Sequence, residues 1–74
     1  MIELNWKDIA TRLTALRNQH KLTIEELADR IDVASSFIGM VETEGFGISF
    51  ENLFKISQVY NCSLDYLVTG STIC

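Results

Sequence analysis

The sequence predicts an all-α protein, a compact bundle of five short helices. Three observations lead there. The 74 residues contain no proline, so no ring interrupts helical hydrogen bonding. Apolar residues recur at steps of three and four, the spacing of one helix face. Asn, Ser or Thr stands ahead of the periodic runs, where its side chain can cap the free N–H groups of a first turn.

Asn5 followed by Asp8 marks the first start, an amide cap followed by an acid that the helix dipole favours. Trp6, Ile9, Leu13 and Leu16 line one face, and the helix is expected to end near Gln19. In "LTIEEL", Thr23 and Glu26 have the spacing of a capping box, each side chain bonding the other's backbone N–H. Leu27, Ala28 and Ile31 face inward on this short second helix. Asp32 is the turn residue of "IDVASS", since aspartate tolerates a left-handed conformation better than most residues. Ser35 or Ala34 begins a third helix, with Ile38 and Val41 inward. Gly39 weakens that helix by about 1 kcal/mol relative to alanine if exposed. "TEGFG" ends it, with Gly45 or Gly47 as the stop. Ser49 caps a fourth helix that turns Leu53, Ile56 and Tyr60 inward. "YNCSLDYL" repeats the device: Asn61 in the turn, Ser63 as cap, Asp65 in the first turn, Leu64 and Leu67 inward. Gly70 closes the fifth helix. Residues 1–70 make one domain with a single modest core, and 71–74 a short tail.

Composition narrows the function classes. Hydrophobic residues make up 47% of the chain, ample for a packed core. No apolar run approaches the roughly 20 residues that span a bilayer, and "MIELNWKD" is not a signal peptide. A cytoplasmic protein without a membrane partner is expected. Two cysteines and the single His20 cannot build a four-ligand zinc site, so no metal or cofactor is expected. Cys62 reads as a buried small hydrophobe and Cys74 as a tail thiol, in preference to a disulfide. No carboxylate pair, nucleophile–base set or phosphate loop is recognisable, so an enzyme is not expected. The net charge is −4, and its placement is informative. Between Arg30 and Lys55 stand Asp32, Glu42, Glu44 and Glu51 and no base, while the rest of the chain balances.

The run "LTIEELADRIDVASSFIGMVE" resembles the helix-turn-helix of the phage repressor family, the Cro/C1 or XRE type. Leu22, Thr23, Glu26, Leu27–Ala28, Val33, Ile38, Val41 and Glu42 carry the likeness, which extends without gaps from about Ile9 to Gly70. It implies a lambda-repressor-like bundle whose second and third helices form the helix-turn-helix, with the third helix in the major groove of operator DNA. A steep crossing within a few residues needs a small residue at the contact and a tolerant one in the bend. Ala28 and Asp32 stand there, although the family usually has glycine at the Asp32 position. Arg17 and Glu42 match a family salt bridge that ties the first helix to the end of the third.

Carried over position by position, the base-reading residues are Ser35, Ser36, Gly39 and Met40, with Phe37 beside them. Phosphate contacts fall to Thr23, Thr43 and the helix start at Ile24, where the family often has glutamine. Lys21, Arg12, Arg30 and Lys7 are the cations expected near the DNA. Serine hydroxyls donate to or accept from any base, while Met40 and Phe37 suit thymine methyl groups. For Ser35, Ser36 and Thr43 the alternative is helix capping with solvent exposure, and for Lys21 and Arg12 a solvated surface charge.

"GFGISF" places Phe46, Ile48 and Phe50 in and just after a connecting loop. Either they fold under into the core or they form a contact patch. A homodimer interface is the preferred reading, with Tyr60, Asn61 and Tyr66 at its edge. Two functions follow: a small regulator that binds double-stranded operator DNA as a homodimer, or a helix-turn-helix-derived module that has lost DNA binding and engages another protein, antirepressor-like, through its acidic third helix and apolar loop.

Overall fold

The computed structural model describes residues 5–44 and 48–70, and within them the chain forms five helices. They are α1 (Trp6–Gln19), α2 (Ile24–Ile31), α3 (Ser35–Glu44), α4 (Phe50–Tyr60) and α5 (Leu64–Thr69). Every predicted cap before α1, α2, α4 and α5 is made. Asn5, Thr23, Ser49 and Ser63 accept from the backbone N–H groups of Asp8, Glu26, Asn52 and Tyr66. The Thr23–Glu26 box is reciprocal, with Thr23 N–H donating to Glu26 Oε1 at 2.8 Å.

Three helix ends share one construction. Lys21, Asp32 and Asn61 adopt left-handed backbone at φ 58°, 61° and 55°. The residue after each donates its N–H back to a carbonyl five positions earlier: Leu22 to Arg17, Val33 to Ala28, Cys62 to Ser57. These paired closures satisfy carbonyls that a helix end leaves without partners. They also turn the chain sharply enough for short helices to pack against one another. Asp32 and Asn61 fill the places that the sequence assigns them, and Lys21 adds a third that residue type alone did not suggest.

The predicted inward faces converge on one core. Ile9, Leu13 and Leu16 of α1 meet Leu27, Ala28 and Ile31 of α2 and Ile38 and Val41 of α3, all buried. Leu53, Ile56 and Tyr60 of α4 and Leu67 of α5 close it from the other side. Trp6 and Leu64 are partly buried at its margin. α3 packs on both α1 and α2, and α5 sits against α1 and α4.

Four expectations are corrected here. Ile48 is 7% exposed and belongs to the core rather than to a surface patch. The reason is local: Ile48 precedes the Ser49 cap and Leu53 lies in the second turn, the two positions of a hydrophobic staple. Tyr60 is buried too, so it does not edge an interface. Cys62 is buried but disulfide-bonded rather than a free thiol, since pairing depends on the distance the fold sets between cysteines and not on composition. Cys74, with the rest of the tail, lies outside the described residues.

Arg12 is the fourth. Its Nε donates to Leu67 O at 3.1 Å and its Nη2 to Val68 O at 2.8 Å. The guanidinium thus holds the last carbonyls of α5, where a cation also complements the helix dipole. It is a clamp between α1 and α5, not a DNA-facing charge. Gly70 makes the clamp possible: at φ 70° it closes α5, and a Cβ there would lie 2.8 Å from Arg12 Nη1. Gly70→Ala is therefore expected to destabilise the domain by about 1–2 kcal/mol, from left-handed strain and displacement of Arg12 together. Urea denaturation measures this, and an unchanged midpoint contradicts it.

Candidate nucleic-acid interface

α3 is presented by its neighbours rather than by its own sequence. Ile38 and Val41 are buried against α1 and α2. With 3.6 residues per turn, that leaves Ser35, Ser36, Met40 and Thr43 on the outer side, and all four are exposed. Met40 is 44% exposed, unusual for so large an apolar side chain. Gly39 lies among them, and a Cβ built on it meets nothing within 4 Å. Phe37 is intermediate, packed partly against the core with the remainder uncovered.

The attitude of α3 is set at both ends. At its start, the Asp32 turn and the Val33 N–H to Ala28 carbonyl bond, 2.9 Å, fix the crossing with α2. At its end, Arg17 of α1 reaches across to Glu42 in a bidentate contact, Nε to Oε2 at 2.8 Å and Nη2 to Oε1 at 3.1 Å. The third arm of the same guanidinium, Nη1, donates to Leu22 O at 2.9 Å. One side chain therefore joins α1, the turn into α2 and the last turn of α3. The side chains of Arg17 and Glu42 are only 14% and 9% exposed, and the hydrogen bond to Glu42 holds the Arg17 pKa above its ordinary value.

Tyr60 lies close enough to this pair to feel both charges, and burial raises its hydroxyl pKa above the ordinary 10.0. Its Oη has no hydrogen-bond partner among the described residues. His20 packs on its ring at a tilt of 35° with centroids 4.9 Å apart, and His20 Nδ1 contacts Leu16 O at 2.9 Å. A carbonyl oxygen can only accept, so Nδ1 carries the hydrogen in that contact.

This arrangement of two helices and a braced, outward face is matched by a known family. The sequence profile of the Helix-turn-helix family aligns with residues 13–67. The chain belongs to that family, in its Cro/C1 or XRE type. Among curated proteins it is 39% identical over 57 residues to an uncharacterized HTH-type transcriptional regulator, YobD, of Bacillus subtilis. That match takes in 77% of this chain, which spans about half (51%) of the relative's length. Among solved structures, the P22 c2 repressor in complex with a synthetic operator superposes with a TM-score of 0.79 at 28% identity, covering 85% of this chain and 96% of the repressor. SinR, the master regulator for biofilm formation, in complex with DNA, gives 0.74 at 28% identity, covering 80% and 95%.

Thr23 opens α2 with its hydroxyl oxygen accepting from Glu26 N–H, which leaves its own hydrogen available to a phosphate. Thr43 is less available, because its Oγ1 already donates to Gly39 O at 2.8 Å. Lys21 is exposed on its left-handed turn just ahead of α2. Arg12 and Arg17 are committed to internal contacts, and Lys55 lies 3.8 Å from Glu51. Among the described residues, Lys7, Lys21 and Arg30 remain as exposed cations outside these pairs. Glu25, Glu26 and Asp29 of α2 are also exposed and oppose them.

The apolar patch is displaced from its expected position. Phe46 lies outside the described residues and Ile48 is in the core, but Phe50 is 71% exposed and Phe54 is 48% exposed. They stand one turn apart on α4, on a face that flanks the buried Leu53 and Ile56. Phe54 was missed by sequence reasoning, although the inward set of α4 already implied it: a residue four beyond Phe50 must share its face.

Two outcomes are expected. Arg17→Ala and Glu42→Ala each leave a desolvated charge and should cost about 3 kcal/mol. The double variant should cost less than the sum, and additive losses in a denaturation cycle exclude the brace. Tyr60 binds its proton more tightly folded than unfolded. Stability from that site is complete below the unfolded pKa of 10.0 and is lost as pH rises through the raised folded value. Tyr60→Phe should flatten the alkaline loss of Tm above about pH 10 and stay within about 1 kcal/mol of the parent at pH 7, since the hydroxyl gives up no protein partner.

Proposed function

We propose that this chain is a DNA-binding regulator of transcription that lays α3 in the major groove of an operator and acts as a homodimer. The exposed stripe of Ser35, Ser36, Met40 and Thr43, with Gly39 half-buried among them and α3 held outward by the Arg17–Glu42 brace, is the observation that carries the reading. Thr23 and the free N–H groups opening α2 face phosphate in this pose, with Lys21 beside them. Related repressors and regulators bound to DNA share the fold over at least 80% of this chain. Phe50 and Phe54 form the self-association face. A small helical domain exposing two phenylalanines one turn apart gains by covering them, and pairing two copies presents two α3 helices to two half-sites.

A second reading, a protein-binding module that has given up DNA, is favoured by one observation. With Arg12 and Arg17 used internally, the surface cations are few and the net charge is −4. Both readings place the chain outside enzyme chemistry.

Salt dependence separates the two. The regulator retards duplex DNA drawn from its own promoter region at about 50 mM salt, and affinity falls as salt rises. With Lys7, Lys21 and Arg30 as the phosphate contacts, the slope of log K against log salt is no steeper than about −5 for a dimer, and Lys21→Ala makes it shallower by about 1 to 2. Failure to retard any duplex at low salt, together with co-purification of a protein partner, transfers the assignment to the second reading. Phe50→Glu combined with Phe54→Glu should give a folded monomer by sedimentation, with half-site binding only; an unchanged sedimentation coefficient removes the proposed face.

A further inference from the structure

Resting on the homodimer reading above, we propose that two copies pair antiparallel along α4, Phe50 against Phe54 and Glu51 against Lys55 of the second copy, and that this charge pair makes the face selective for its own kind. A two-fold interface demands self-complementarity: where one residue meets another across it, the reverse contact is made as well. α4 meets that demand twice. Phe50 is 71% exposed and Phe54 is 48% exposed, and the midpoint between them is position 52. Glu51 and Lys55 carry opposite charges, and their midpoint is position 53. The midpoints differ by one residue, a rise of about 1.5 Å, so one axis perpendicular to the helix serves both pairs. Each charged residue directly follows a phenylalanine and is turned from it by about 100°, so the charged row borders the apolar row. A parallel pairing would set Glu51 level with Glu51 and Lys55 level with Lys55, and would align the two helix dipoles.

Charge elsewhere on the molecule points to the same occupant. Two identical chains of net charge −4 repel each other unless they meet through a neutral surface. α4 has one acid and one base. By contrast, α2 carries three acids against Arg30, and α3 carries Glu42 and Glu44 without a base. A face with so balanced a rim gives a nucleic acid or a strongly charged peptide little to hold. The pair within one molecule is loose enough to be exchanged. Lys55 Nζ stands 3.8 Å from Glu51 Oε2, with the two side chains 41% and 79% exposed. Such a surface pair contributes little to a single chain. Between two chains the same charges border a covered phenylalanine contact, where water screens them less. A partner with the wrong charge at either position places like charges together, and discrimination comes from that repulsion.

The test uses the full chain and changes only exposed or half-exposed positions of α4, with far-UV circular dichroism and Tm to verify the fold. Sedimentation equilibrium at about 50 mM salt compares the parent with Glu51→Lys and with Lys55→Glu. Each variant alone meets its copy with like charges at both symmetry-related contacts. Its dimer dissociation constant is expected to rise about tenfold or more. Mixing the two variants in equal amounts restores opposite charges at both contacts, and the mixed pair should return to within about threefold of the parent. At about 1 M salt the differences should shrink below about threefold, since charges are then screened beyond about 3 Å. Parent-like dimers from both charge variants, with dimer lost in the Phe50→Glu, Phe54→Glu chain, overturn the inference and leave the homodimer reading standing. A mixture no tighter than either variant alone overturns it as well. A parent chain that stays monomeric at every concentration overturns both.

Discussion

Arg17 is the residue on which the working geometry depends. α2 is eight residues long and α3 ten, and neither is long enough to hold its direction by its own hydrogen bonds. Packing of Ile38 and Val41 fixes which side of α3 faces the core. It does not by itself prevent the helix from pivoting about that contact. The three-armed contact of one guanidinium supplies the missing constraint, because Leu22 O and Glu42 sit at opposite ends of the α2–α3 unit. A planar fork with fixed donor directions suits this task, and an ammonium on a flexible stem would not reproduce it. Both charges are nearly buried, so the pair adds less to net stability than to the choice of one orientation among several.

The same economy explains why the molecule is poor in free positive charge. Of the six bases, Arg12 closes α5 and Arg17 braces α3, so both are withdrawn from the surface that would meet phosphate. The interior gains two well-satisfied guanidinium groups, and the exterior is left with Lys7, Lys21 and Arg30 against the acids of α2. An interface of this kind takes little from counterion release. On the proposed reading, affinity for DNA rests instead on N–H groups at helix starts and on contact surface along α3.

Helix starts and inward faces were legible in the sequence because each depends on neighbours within four residues. Thr23 with Glu26, or Ser63 with Tyr66, is a short-range bond that the residue types nearly dictate. Ile48 was misassigned although the information was local. Once Ser49 is recognised as a cap, the residue before it belongs to a staple, and an apolar side chain there turns under. Arg12 was illegible for a different reason. Its partners, the carbonyls of Leu67 and Val68, lie 55 and 56 positions away, and no residue type signals a backbone acceptor. Arg17 and Glu42 are equally distant in sequence, 25 positions apart, and were found through family likeness rather than through any local rule.

Gly39 is a glycine that the fold itself does not require. The other glycine among the described residues, Gly70, has a structural reason. At Gly70 the backbone is left-handed and the Arg12 guanidinium fills the space a Cβ would need. At Gly39 the backbone is ordinary helix and the space is empty, so neither conformation nor packing explains the residue. A helix whose exposed side carries two serines, a glycine and a methionine is weaker than one built from alanine, glutamate and lysine, and its position depends the more on Arg17 and the Asp32 turn. Rigidity is supplied from outside the helix, by α1 and the turn, and the outer face is left free of the side chains that would otherwise stabilise it. Such a division lets a short helix present an almost bare backbone to a partner without losing its place in the bundle.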